Sequence, residues 1–125
     1  MKPINVVAAI IKKNNKYLIT KRNRRKHLGL KWEFPGGKVE RKETLKDALV
    51  REIQEELTIT INVNMKIGEE NFKDEKINII IHYYLCSIKE GFLKLNEHEE
   101  FLWVEKKNIQ QYDFVPGDKK IFPVL

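Results

Sequence analysis

One stretch limits what this chain can fold into more than any other. From Gly37 to Ile59 it reads GKVERKETLKDALVREIQEELTI. Leu45, Ala48, Leu49, Ile53 and Leu57 recur at helical spacing and define one amphipathic helix. Thr44 starts it, with Asp47 three residues on in a capping-box pattern. Glu52, Glu55 and Glu56 stand at i, i+3 and i+4, so at about 100° per residue they share one face. That face lies at the edge of the apolar stripe, not on the fully solvated side.

Carboxylates placed this way repel one another. Like charges at helical neighbour positions destabilise by roughly 0.2–0.5 kcal/mol per pair. Proximity to the negative end of the helix dipole adds about 0.3–1 kcal/mol each, and partial burial adds more. Arg51 relieves Glu55 at i+4 in the weaker orientation for such a pair, and one guanidinium does not balance the cluster. A divalent cation removes the penalty. Mg²⁺ takes oxygen ligands, keeps some waters and bridges carboxylates to substrate phosphates. It also orients a water and stabilises phosphate charge, and a remaining glutamate can accept that water's proton. An isolated Glu-x-x-Glu-Glu is more often an ordinary charged helix face. The Gly36-Gly37 turn, Glu43 and Arg51 shift the reading toward a metal site.

Strands surround this helix. Ile4 to Ile11 reads as a buried strand, and Lys13 to Lys16 as a turn whose asparagines tolerate positive φ. Tyr17 to Lys21 returns as a second strand. Asn23 to Lys31 is a polar, basic loop. Trp32-Glu33-Phe34 is extended, because Pro35 disfavours helix before it, and Pro35-Gly36-Gly37 reads as a tight turn. After the helix, Ile59, Ile61, Val63, Met65 and Ile67 alternate with polar residues, the pattern of a half-buried strand. Asn71 to Glu75 reads as a polar turn. Lys76 to Ile88 is a long strand, Glu100 to Val104 another, Lys106 to Gln111 a helical turn, and Pro116-Gly117-Asp118 the start of a last short helix. The class is α+β, a mixed sheet covered by helices.

A chain of 125 residues suits a single domain over residues 1–125. Hydrophobic content of 42% excludes a disordered chain. No apolar run approaches a membrane span and no signal peptide precedes the first strand, so no membrane partner is expected. The single Cys86 forms no internal disulfide and fits a cytoplasmic setting. The net charge of +6 favours anionic partners without choosing among nucleotides, nucleic acids and membranes. Lys21 to His27 lacks interleaved aromatics and a regular helical face, so it reads as a solvated loop with one useful arginine, and no stable nucleic-acid binding is expected. A monomer and a homodimer are both compatible with the sequence.

Gly37, Glu43, Arg51, Glu52, Ile53, Glu55, Glu56 and Ile59 together resemble the Nudix box: Gly, five residues, Glu, seven residues, then Arg-Glu-apolar-x-Glu-Glu-x-Gly-apolar. Thr58 replaces the final Gly. A β-branched residue disfavours positive φ, so a different helix end is expected, with no carboxylate lost. Val6 to Ile11, Thr20-Lys21-Arg22, Trp32 to Glu40, Glu97-His98-Glu99 with Trp103, and Pro116-Gly117-Asp118 extend the likeness to the MutT branch.

The resemblance implies a Nudix fold, an α/β/α sandwich with a mixed sheet. It implies hydrolysis of a nucleoside triphosphate to monophosphate and pyrophosphate, with Mg²⁺ as cofactor and Mn²⁺ as the alternative. The Gly36 carbonyl, Glu52, Glu55 and Glu56 would hold metal, with Glu97 as a further acidic ligand. Glu97 is preferred to Glu99 by its spacing to Trp103. Glu52 is the family's usual base, Arg51 would orient the glutamates and Glu43 would brace the helix. Arg22 and Lys38 would face the phosphates. His27, Glu33, Phe34, Pro35, Gly36 and Gly37 would contact substrate, and Asp118 would read the base edge. His98 reads as a loop hydrogen bonder and His82 as sheet surface or core.

An oxidised nucleotide such as 8-oxo-dGTP narrowly leads as substrate. CTP or 5-methyl-dCTP is the rival, because an ionised Asp118 only accepts hydrogen bonds. Burial would let a protonated Asp118 donate as well. Other diphosphates are weaker readings. The downstream proline of ADP-ribose members is missing between Gly37 and Val115, while the basic loop keeps an RNA 5′ end open. A non-catalytic nucleotide-binding module is the reading from another class. Such modules usually lose box glutamates, and this chain has lost none.

Overall fold

The computed structural model describes residues 2–125. Its strands are β1 (Ile4–Lys13), β2 (Lys16–Lys21), β3 (Trp32–Glu33), β4 (Gly36–Lys38), β5 (Thr60–Lys73), β6 (Asn78–Glu90) and β7 (Glu100–Val104). Helix α1 is Leu45–Leu57 and α2 is Pro116–Lys119, with 3₁₀ turns at Lys106–Gln111 and Phe122–Val124. The α+β class and the mixed sheet match the expectation. β1 runs parallel to β6, and the other pairings are antiparallel.

β1 organises the molecule. Its first part pairs with β4 and β6, and its last two residues pair with β2, which carries β3 and β7. Alternation sends Val7, Ala9 and Ile11 to one face and Ala8 and Ile10 to the other. The first face is covered by α1, whose Ala48, Leu49, Ile53 and Leu57 are completely buried. The second is covered by the C-terminal segments through Ile109, Phe114, Ile121 and Phe122. Burying Leu49, Ile53 and Leu57 supplies roughly 1.5–3 kcal/mol each. That outweighs the roughly 0.2–0.5 kcal/mol per pair of repulsion between neighbouring carboxylates on the same helix and keeps it seated. Among the described residues no helix is long and apolar enough to cross a membrane.

Three local expectations are corrected. Gly36 and Gly37 form strand β4 and not a tight turn, with Val7 opposite Gly37 and Ala8 opposite Gly36. Neither has positive φ. Space is the constraint: a Cβ on Gly36 would fall 1.8 Å from the Val7 carbonyl oxygen. β5 continues to Lys73, through residues read as a turn. Register shifts between Thr60 and Ile61, Val63 and Met65, and Lys66 and Gly68 break its simple alternation. Ile61 and Val63 therefore pack on the α1 side and Ile67 on the opposite side, while Met65 is exposed.

The helix end is the third correction. Thr58 does adopt the left-handed conformation, with φ 63° and ψ 26°. Tertiary contacts hold it there. Its Oγ1 donates to the Lys94 carbonyl at 3.2 Å and accepts from Asn96 Nδ2 at 3.1 Å. Backbone amides of Lys94 and Asn96 also donate to Leu57 and Glu56 carbonyls at the helix end. This anchors the segment that carries Glu97.

Candidate active site

Glu43 anchors the acidic helix from outside. It accepts from Arg51 Nε at 2.6 Å and from Nη2 at 2.8 Å, and its Oε1 also accepts from the Glu40 amide at 2.8 Å. The Arg51 hydrogen bonds, followed by the Glu40 amide, hold its carboxyl down at about 2. Arg51 then donates through Nη1 to Glu52 at 2.8 Å and Glu55 at 3.2 Å, and through Nη2 to the Lys38 carbonyl at 3.1 Å. One guanidinium thus ties α1 to β4 and spans three carboxylates. Glu55 points out toward Arg51 and is exposed, rather than sharing the buried edge with Glu56.

Glu52 lies against β4. A Cβ on Gly37 would stand 2.3 Å from its Oε2, so only glycine leaves room for this carboxylate. Burial raises the Glu52 pKa against the opposing pull of Arg51. Glu56 is 6% exposed. Burial, with the added charges of Glu33, Glu52 and Glu97, pushes it up to about 9. Its Oε1 is buried without a hydrogen-bond partner. Such an atom normally finds a donor or a cation.

Segment 97–99 closes this end. Glu97 lines the pocket and pairs with Lys26, whereas Glu99 turns away to Arg24, accepting from its backbone N at 3.1 Å and Nη2 at 3.3 Å. His98 bonds through Nε2 to Glu33 Oε2 at 2.9 Å, as a loop hydrogen bonder. Arg22 meets the other Glu33 oxygen at 2.6 Å and the His27 carbonyl at 3.0 Å. His27 Nε2 contacts Asp74 Oδ2 at 2.7 Å, joining the basic loop to the β5–β6 hairpin.

The far end is apolar with one carboxylate. Asp118 is 3% exposed. It accepts from the Phe34 amide at 2.9 Å and from the Tyr83 hydroxyl at 2.5 Å. Burial raises it to about 7 in spite of those two donors. Phe34, Phe72, Ile79 and Ile81 line the pocket around it, which has a volume of about 710 Å³.

Arg22, His27, Glu33, Phe34, Gly36, Gly37, Lys38, Glu52, Glu55, Glu56, Glu97 and Asp118 all line this one pocket. Glu43, Arg51 and Pro35 do not. The first two act through the helix, and the Pro35 carbonyl accepts from the Ala9 amide at 2.8 Å. Lys26, Leu28, Phe72 and Ile77 also line the pocket and were not foreseen. Lys26 and Leu28 lie in the polar, basic loop, and Phe72 and Ile77 lie in or beside the segment whose composition predicts a polar turn. The basic run is not a free patch: Arg22, Arg24, Lys26 and His27 each pair with a carboxylate.

A family model described as the NUDIX domain matches residues 1–125. The chain belongs to the Nudix family. It is 37% identical over 120 residues to the CTP pyrophosphohydrolase of Escherichia coli (strain K12), covering 94% of this chain and 87% of that protein. It is 31% identical over 126 residues to the 8-oxo-dGTP diphosphatase of the same strain, covering 100% and 98%. The solution structure of the E. coli ORF135 protein superposes with a TM-score of 0.82 at 34% identity, covering 99% of this chain and 89% of that one. The MutT protein from Methanosarcina mazei Go1 gives a TM-score of 0.89 at 29% identity, covering 98% and 92%.

Nudix hydrolases generally use divalent metal ions, and the donor set here fits one. Glu52, Glu56 and Glu97 offer only oxygen, and the buried Glu56 Oε1 has no hydrogen-bond partner. Among the described residues, no three carboxylate or imidazole groups already stand as a ligating set. Arg51 draws Glu52 and Glu55 to itself, and Lys26 draws Glu97.

Proposed function

We propose that this Nudix hydrolase cleaves a nucleoside triphosphate to the monophosphate and pyrophosphate with Mg²⁺, or Mn²⁺ in its place. The observation that carries the reading is the polarity of the pocket. A buried, unpartnered Glu56 with Glu52 and Glu97 stands at one end, and an apolar slot with a single buried carboxylate, Asp118, at the other. A nucleotide has the same polarity, with polyphosphate at one end and base at the other.

Glu52, Glu55, Glu56, Glu97 and the Gly36 carbonyl would hold the metal, which when bound would polarise the phosphoanhydride and lower the pKa of a water. Arg51 keeps Glu52 in place and compensates its charge. Glu52, with its raised pKa, suits the removal of a proton from an attacking water. Arg22 and Lys38 supply positive charge along the pocket wall, where the phosphates would lie. Phe34, Ile79 and Ile81 exclude water around the base, and Asp118 meets its polar edge.

An oxidised or otherwise modified base such as 8-oxo-guanine is our first assignment. CTP or 5-methyl-dCTP is the second reading, favoured by the acceptor chemistry of Asp118 and by the CTP pyrophosphohydrolase relative. The test is pyrophosphate release over normal, oxidised and methylated nucleoside triphosphates, with Glu52→Gln and Glu56→Gln beside the wild type. Both substitutions should abolish nearly all turnover. Near wild-type rates in either would refute the mechanism, and tight nucleotide binding without turnover across the panel would point to a binding module instead.

A further inference from the structure

Lys26 stands where the metal site would need a free carboxylate. Its ammonium pairs with Glu97 Oε1, and both residues line the pocket beside Glu56. The contact is built, not incidental. Asn23 Nδ2 donates to the Glu97 carbonyl at 3.4 Å, the Asn23 side chain accepts from the Arg25 amide at 3.0 Å, and the Lys26 amide donates to the Asn23 carbonyl at 3.1 Å. Arg24 clasps Glu99 next door. The turn that carries Lys26 is therefore docked on the segment that carries Glu97.

Beside this pair, the buried Glu56 Oε1 has no hydrogen-bond partner. An ammonium is a compact point charge on a flexible stem, so it can leave Glu97 and still reach groups in the same pocket.

We infer that Lys26 is an internal stand-in cation: it holds Glu97 while no divalent ion is bound, and turns to the substrate's phosphate oxygens once the ion takes Glu97. No covalent bond changes in this exchange, in which one positive charge replaces another at Glu97. Metal binding without nucleotide is therefore weak, because it must displace Lys26. With nucleotide present the displaced ammonium gains a phosphate partner, so metal and nucleotide bind cooperatively. This inference rests on the phosphate-cleaving reading above.

Lys26→Met separates the two roles, because they have opposite signs. Mn²⁺ binding without nucleotide, followed by the free-ion electron paramagnetic resonance signal, should tighten about two- to fivefold, the range expected for a partly exposed ion pair. The KM for the nucleotide at saturating Mg²⁺ should rise by a comparable factor. In the Glu97→Gln background, Lys26→Met should leave Mn²⁺ affinity unchanged. A merely structural lysine would weaken both or neither. Unchanged or weaker Mn²⁺ binding in Lys26→Met, with normal wild-type turnover, overturns the inference and leaves the proposed function standing. Absence of Mn²⁺ binding in the wild type, with and without nucleotide, overturns both.

Discussion

Replacing Glu56 by Gln should stabilise the metal-free protein while destroying its activity. The folded-state pKa of Glu56 is about 9, raised first by burial and then by the charges of Glu33, Glu52 and Glu97. In the unfolded chain an ordinary glutamate titrates near 4.3. Below about pH 4.5 both states are protonated, and the neutral carboxyl contributes its full stability. Above that the unfolded chain loses its proton first, so the contribution falls with pH and is gone by about pH 9. At pH 8 the unfolded chain has been losing its proton over about 3.7 pK units, which is at most about 5 kcal/mol at 1.36 kcal/mol per unit. Local rearrangement lowers this, so about 2–5 kcal/mol is the expected range. Glutamine has no proton to lose, and nearby carboxylates can accept from its amide. In EDTA, Glu56→Gln should therefore melt higher than wild type at pH 8, on the order of 10 °C for a chain of this length. At pH 5 the advantage should shrink below about 1 kcal/mol. Thermal melts of both proteins across this range, with turnover measured in parallel, provide the assay. A variant no more stable at pH 8, or a gap equal at the two pH values, would show that Glu56 is not held neutral by its surroundings.

Gly37→Ala places a methyl within 2.3 Å of Glu52 Oε2. Displacing that carboxylate should lower kcat about 10- to 100-fold with a Tm shift of only a few degrees; wild-type kcat would show that Glu52 need not lie against β4. Thr58→Val keeps the left-handed backbone but loses the bonds to Lys94 and Asn96. It should cost about 1–3 kcal/mol in urea unfolding, and more than Thr58→Gly, which gives up the same bonds but relieves the φ strain. Equal losses for the two variants would refute the tertiary explanation of this helix end.

Much of the site was legible from local pattern. The stripe Ala48, Leu49, Ile53 and Leu57 sets which face of α1 is buried, and 3.6-residue periodicity then places Glu52 and Glu56 beside it. Arg51 at i−4 from Glu55 was likewise readable as a partner. What Arg51 does most was less visible, because its shortest bond goes to Glu43 across the helix start and another reaches a β4 carbonyl. The glycines were legible as necessary but not for the right reason. Conformational freedom is a property of a residue, whereas the space beside Val7 and Glu52 is a property of the packed sheet and helix.

The residues of the sequence by themselves determined the acidic helix, the alternating strands and the box of spaced residues that marks the family, because helical and strand periods translate local spacing directly into faces. Tertiary structure decided the rest. It set the Glu97–Lys26 pair across 71 residues of chain, the left-handed Thr58, the inversion of β5 after its register shifts, and the depth at which Glu56 and Asp118 are buried. Those features depend on desolvation and on contacts between distant segments, and neither is encoded in the spacing of neighbouring residues.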